Sequence, residues 1–127
     1  MLSTKQLGFL GENLAKDYLK KKGYKILVQN FQKKWGEIDL IATKERKIIF
    51  FEIKTQRINK TNEDFFYPED KISLKKIIKL RKMAQIYLSE KKLYDKLCQI
   101  DILVINFYLD SQKIKIRHYK NAIEDRE

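Results

Sequence analysis

Four side chains within Gly36 to Gln56 have the types and spacing that metal or acid–base chemistry needs: Glu37, Asp39, Glu52 and Lys54. Glu37-Ile38-Asp39-Leu40-Ile41 alternates polar and apolar, and so does Phe50-Phe51-Glu52-Ile53-Lys54, the period of half-buried strands. The charged run Lys44-Glu45-Arg46-Lys47 between them is the natural reversal. A turn symmetric about Glu45-Arg46 sets Ile41 opposite Phe50, Asp39 opposite Glu52 and Glu37 opposite Lys54. Carboxylates facing each other on one sheet face repel, at a cost of roughly a few tenths of a kcal/mol or more. A divalent cation would turn that repulsion into attraction, because carboxylate oxygens are what Mg²⁺ takes. A ribbon with a solvated polar face would alternate in the same way, and an odd-length turn would put the two acids on opposite faces. Only the metal reading explains why the acids and Lys54 gather at one end.

The elements that must hold this hairpin can be read around it. Ser3 with Gln6 three residues on forms a capping box, predicting a helix to about Lys22 with Gly23 as terminator. Its buried stripe is Leu7, Gly11, Leu14, Ala15 and Tyr18. Glu12 lies at the edge of that stripe, where it is either a boundary residue or an acid reaching a site shared with the sheet. Gly8 and Gly11 each cost about 1 kcal/mol of helix stability against Ala, which close backbone approach to the sheet or to a ligand would offset. Tyr24 to Phe31 reads as the first strand and Gln32 to Gly36 as the turn into the hairpin. Trp35 in that turn could stack on a base, though packing at a strand edge is the commoner use.

After Gln56 and Arg57 comes a long polar stretch to Asp70 containing Phe65-Phe66-Tyr67, of a length that is usually functional or mobile. Ser73 caps a second helix predicted to about Glu90, with Leu74, Ile77, Ile78, Ala84, Tyr87 and Leu88 as its stripe. Lys75, Lys76, Lys79, Arg81 and Lys82 make its first part strongly basic, either a solvated face or a grip for a polyanion. Gln99 to Phe107 is an apolar inner strand, and Lys113 to Tyr119 alternates and closes the sheet at an edge. Cys98 reads as a small core residue and His118 as structural. Residues 1–120 form the expected single domain, followed by a polar tail over 121–127.

The composition of the 127 residues fits one packed core: 43% hydrophobic, 12% aromatic, with only four Gly and one Pro. That excludes a disordered chain. One cysteine excludes an internal disulfide and suits a cytoplasmic location. No apolar run approaches the ~18 residues a spanning helix needs. The net charge of +11 predisposes the protein to polyanions, either nucleic acid or an anionic membrane surface. Neither helix has the aromatic apolar face of a membrane anchor, so nucleic acid is the expected partner and a membrane is not.

Twelve residues separate Asp39 from Glu52, and Lys54 follows two on. That spacing resembles the signature of the PD-(D/E)XK nuclease superfamily. The resemblance narrows with G-x-x-G-E-x-x-A at Gly8 to Ala15, Gly23-Tyr24, Asn30, G-E-I-D-L-I at Gly36 to Ile41 and F-F-E-I-K-T at Phe50 to Thr55. Ser73 to Lys76, the A-x-x-Y-L of Ala84 to Leu88 and Asp101 continue it. In this collinear order, nearly the whole chain resembles the YraN family of small bacterial endonuclease-like proteins. The motif layout is also similar to archaeal Holliday-junction resolvases. Two positions depart from the family pattern: Gln56 stands where an Arg is usual, although Arg57 follows, and Ile100 stands where an Arg usually precedes the aspartate.

The resemblance implies a restriction-endonuclease-like α/β fold, a mixed β-sheet flanked by helices in the order α-β-β-β-α-β-β. It implies Glu12, Asp39, Glu52 and Lys54 as catalytic positions, with Asp39, Glu52 and Glu12 holding Mg²⁺ or Mn²⁺. Lys75, Lys76, Lys79, Lys82, Arg57 and Gln56 would grip a nucleic acid, expected to be DNA with branched DNA among its forms, while Glu37 would restrain Lys54 as an ion pair. Hydrolysis directed by DNA structure is the expected activity. The alternatives are a binding module that does not cut and a docking subunit of a DNA-processing complex. Junction resolvases act as symmetric dimers, so a homodimer is a further expectation.

Overall fold

The computed structural model describes residues 2–59 and 73–123. The expected loop segment around Phe65-Phe66-Tyr67 and the end of the tail lie outside the described residues. The elements are α1 (Thr4–Lys21), β1 (Lys25–Lys33), β2 (Gly36–Lys44), β3 (Lys47–Ile58), α2 (Leu74–Glu90), β4 (Leu97–Tyr108) and β5 (Ile114–Tyr119), a mixed α/β arrangement in the expected order. The five strands form one sheet in the order β1-β2-β3-β4-β5. All neighbours are antiparallel except β3 and β4, which run parallel from Lys47 opposite Leu97 to Ile58 opposite Tyr108.

Local chemistry accounts for the element ends. The Ser3 side chain accepts from the Gln6 N–H while Gln6 Oε1 accepts from the Ser3 N–H, the reciprocal bonds of a capping box. Ser73 caps α2 through the Lys76 N–H. Gly23, at φ 93°, ends α1 in a conformation that suits a residue without a β-carbon. Glu45 and Arg46, at φ 52° and 67°, make a two-residue turn whose twist matches the strands it joins.

The sheet is packed on both faces. Ala15 and Leu19 of α1 cover Leu40, Ala42, Ile49, Phe51, Leu103 and Ile105. Leu80, Met83, Ala84 and Tyr87 of α2 cover Ile41, Ile48, Phe50 and Ile100 on the other. The expected stripe of α2 is corrected here. Leu74 and Ile78 are exposed (70% and 56%), and Leu80 and Met83 take the buried positions, because the side of α2 that meets the sheet runs through 80, 83, 84 and 87. Cys98 is exposed rather than buried, since it lies at the start of β4 before the core closes over the strand at Ile100.

A network around the fully buried Asp101 closes the sheet at β5. The Asp101 carboxylate accepts from Gln99 Nε2 and from the Asn121 N–H, each at 2.8 Å, and lies 2.7 Å from His118 Nε2. The other ring nitrogen of His118 meets the Tyr18 hydroxyl of α1 at 3.3 Å. His118 is thus structural, as expected: it shares Asp101 with two further partners and ties β5 to α1 across the sheet.

Candidate functional site

The β2–β3 ladder carries the register expected from the turn, with Lys44 opposite Lys47, Ile41 opposite Phe50 and Leu40 opposite Phe51. There it stops. β2 continues on its other side, with Ile38 opposite Phe31 and Glu37 opposite Gln32, so beyond Leu40 it leaves β3 and follows β1. The bend sits at Asp39. Between the pairs Gln29–Leu40 and Phe31–Ile38 lies Asn30 of β1, at φ 55°, a left-handed conformation that Asn tolerates better than most residues. The bend also moves Ile38 away from the face of Leu40 and Ala42, where alternation predicts it, into the cluster under α2.

The splay makes the site. Asp39 and Glu52 do not face each other across a continued ladder, nor do Glu37 and Lys54. Instead, the Asp39 carboxylate turns into the gap and accepts the Ile53 N–H at 2.7 Å, a side chain taking the place of a missing strand partner. The Ile53 carbonyl points toward that same edge, because N–H and C=O of one residue share a side of a strand. Glu37 leaves Lys54 and accepts from Gln32 Nε2 at 2.9 Å, which corrects its expected role as the lysine's ion-pair partner.

The N-terminal half of α1 faces this free edge. Glu12 and Gly8 line a cleft of about 340 Å³ together with Asp39, Ile53, Lys54, Thr55, Gln56 and Arg57. The two glycines earlier in α1 do different things there. A β-carbon on Gly11 would fall 2.2 Å from Thr55 Oγ1, so that glycine is what lets the helix lie against β3. A β-carbon on Gly8 would meet nothing within 4 Å, and would stand at the cleft wall.

Electrostatics mark the same place. The Asp39 carboxyl is held up at about 7, first by burial and next by the Glu52 charge. The Ile53 N–H pulls it back, while Glu37 and Glu12 add smaller repulsion. Burial also raises Glu52, which Lys76 and Lys54 pull down. Lys76 of α2 makes that contact directly, with its Nζ 3.2 Å from Glu52 Oε1. The two carboxyls repel each other's charge, and only Glu52 has lysines beside it to offset that repulsion.

The other expected binders divide. Lys75, Lys79 and Lys82 are exposed on α2, whereas Lys76 is committed to Glu52. Arg57 donates to the Leu2 carbonyl, holding the chain's start beside the cleft, and Gln56 donates to Asn106 Oδ1 at 2.8 Å.

The donor set fits a hard divalent cation. Asp39 and Ile53 line the cleft, Glu52 is close enough to repel the Asp39 charge, and a repelled carboxylate pair is relieved by added positive charge. Among the described residues no three acidic, His or Cys side chains come together closely enough to make a ready cage. Mg²⁺ does not require one, because it is commonly held by one or two carboxylates with water and substrate phosphate completing its shell. No helix of the described residues is long and apolar enough to cross a membrane.

Residues 11–105 match the model of the uncharacterised protein family UPF0102. A UPF0102 protein of Clostridium perfringens is 38% identical over 119 residues, covering 94% of each chain. One from Syntrophomonas wolfei is 39% identical over 119 residues, covering 94% of this chain and 98% of its own. A third, from Dictyoglomus turgidum, is 36% identical over 121 residues, covering 95% and 99%. The family model and the full-length relatives agree with the motifs: the chain belongs to the uncharacterised protein family UPF0102, the YraN family.

Proposed function

We propose that the protein is a metal-dependent DNA endonuclease that hydrolyses phosphodiester bonds and selects its substrate by DNA structure rather than sequence. The observation that carries this reading is the mostly buried Asp39–Glu52 pair at the splayed end of β2 and β3, with Asp39 pushed up to about 7. Burying two carboxylates that repel each other is costly for a scaffold and useful for a site that takes a cation.

Asp39 and Glu52 would hold Mg²⁺ or Mn²⁺, with the Ile53 carbonyl on the same edge and Glu12 across the cleft. Such an ion lowers the pKa of bound water and stabilises charge on a phosphate. The chain's own residues do the rest. The Ile53 N–H fixes the Asp39 carboxylate in one orientation. Lys54, exposed on the cleft rim, would lie beside a phosphate bound there, where its ammonium would orient a water or offset developing negative charge. Lys75, Lys79 and Lys82 bind backbone phosphates, which position a strand without reading its bases.

One observation favours a second reading, a nucleic-acid-binding module that does not cut. Lys76 already neutralises Glu52, as an internal ammonium would in a site that has given up its cation. Calorimetric titration of Mg²⁺ and Mn²⁺ into the wild type and the Asp39→Ala/Glu52→Ala protein, followed by incubation with branched and plain duplex DNA, separates the two. Metal uptake and cleavage lost together in the double variant support the nuclease. DNA binding without metal uptake in the wild type overturns it in favour of the module.

A further inference from the structure

Trp35 is the chain's single tryptophan, and at 50% exposed it is not a core residue. It occupies the β1–β2 turn with Lys34, and the turn is seated on α2. A β-carbon added to Gly36 would lie 3.5 Å from Met83 Cγ and 4.0 Å from Lys79 Cβ. Two ammonium groups approach the indole ring, Lys34 Nζ at 4.7 Å and Lys82 Nζ at 4.5 Å from its centroid. The ring is therefore a half-exposed aromatic surface with ammonium groups over it.

The lysines connect this surface to the carboxylates. Lys76 reaches Glu52, Lys79 lies against Gly36 and Lys82 lies over Trp35, so all three are on the side of α2 that meets the hairpin. From 76 to 82 the helix rises about 9 Å. From Trp35 to Asp39 an extended strand covers about 13 Å. A stacking surface and a phosphodiester-cleaving centre at that separation, joined by a line of ammonium groups, match a short stretch of unpaired strand. A blunt duplex keeps its bases stacked inside and has no ring face to offer.

We infer that Trp35, with Lys34, Lys79 and Lys82, forms a stacking platform for an unpaired nucleobase on a single-stranded segment leading to the Asp39–Glu52 pair. This rests on the nuclease reading for its orientation and names the substrate class: nucleic acid with an unpaired arm beside the cut. The base takes the place of one ammonium over the ring, and that lysine turns to a phosphate, because an exposed ammonium–ring contact is weak and exchangeable. A basic groove paired with an aromatic ring is how proteins hold single strands without reading sequence.

The single tryptophan makes the test direct. The full chain, in EDTA, is titrated with dT and rU oligonucleotides and with blunt duplex DNA, following tryptophan fluorescence and the anisotropy of labelled strands. Single strands should quench Trp35, and duplex should bind through charge without quenching. Trp35→Ala should weaken single-strand binding by roughly ten-fold or more and leave duplex binding unchanged, with Trp35→Phe recovering most of the loss. Quenching by dT and rU alike is expected, because a ring face carries no sugar information. Trp35→Ala binding single strands as tightly as the wild type, or losing duplex to the same extent, would overturn the platform. The outcome is separable from the nuclease reading. Quenching without metal-dependent cleavage of branched DNA sinks the nuclease and keeps the platform, and cleavage without quenching does the reverse.

Discussion

Replacing Asp39 with Asn should make the protein more stable, and by an amount that depends on pH. The folded carboxyl holds its proton until about 7, whereas an unfolded one releases it near 3.8. Between those values the native state carries one proton more than the unfolded state, so stability falls as pH rises, by about 1.4 kcal/mol per unit. Above pH 7 the penalty is complete, with a ceiling of about 4 kcal/mol for a shift of roughly three units. Partial solvent access to the cleft brings the working figure to about 2 kcal/mol or somewhat more. The amide removes this term and keeps the geometry, because its oxygen can still accept the Ile53 N–H. Urea unfolding in EDTA should therefore show Asp39→Asn about 2–4 kcal/mol more stable at pH 8, with the gain falling to about a third at pH 5. Mg²⁺ at ten times its dissociation constant should then return about 1.4 kcal/mol to the wild type and nothing to the variant. A difference that is the same at both pH values would show a packing effect. A variant less stable at pH 8 would refute the claim that Asp39 is held against its charge.

The remaining expectations each need one measurement. Gly11→Ala should destabilise the fold by about 1–3 kcal/mol through overpacking against Thr55, whereas Gly8→Ala should stabilise it by about 1 kcal/mol; paired urea melts give the sign of each. In cleavage assays Gly8→Ala should nonetheless lose activity, because its methyl group stands in the cleft. Lys76→Gln should raise the Glu52 pKa further, read by carboxyl NMR titration. Asp101→Ala should cost about 2–4 kcal/mol, because it removes a fully buried acceptor shared by Gln99, His118 and the Asn121 N–H; thermal unfolding measures it.

What could be read ahead of the structure were features written in local residues. Ser3 with Gln6, and Ser73, announce both helix starts, and the even turn at Glu45-Arg46 fixes the register that pairs Ile41 with Phe50. The four polar singletons of the site were legible for the same reason, since each interrupts an apolar pattern. Their mutual geometry was not. The bend that parts β2 from β3 lies opposite Asn30 in a neighbouring strand, outside the hairpin, so the hairpin taken alone predicts a continuous ladder and a Glu37–Lys54 pair. The Lys76 contact to Glu52 and the buried Asp101–His118 pair span elements far apart in the chain, and no periodicity encodes them. Trp35 shows the same limit: its surroundings in sequence allow burial or display, and only the seating of its turn on α2 decides for display.

The one parallel pairing in the sheet has a consequence for how the protein comes to exist. β1, β2 and β3 meet through two-residue turns and can zip together early, but β4 reaches β3 only after the chain has travelled from Ile58 to Leu97 by way of α2. Closing that loop is the slow, entropically costly event, and it is also the event that brings Lys76 to Glu52. Until then Glu52 and Lys54 sit on a strand with one open edge facing the β4 side. A nascent chain would thus already hold the residues that line the cleft, which come from α1, β2 and β3, but would lack Lys76 beside Glu52 and the β4 partner that backs β3. Pulse-labelled hydrogen exchange should find the amides of β4 protected after those of the β1–β2 turn region.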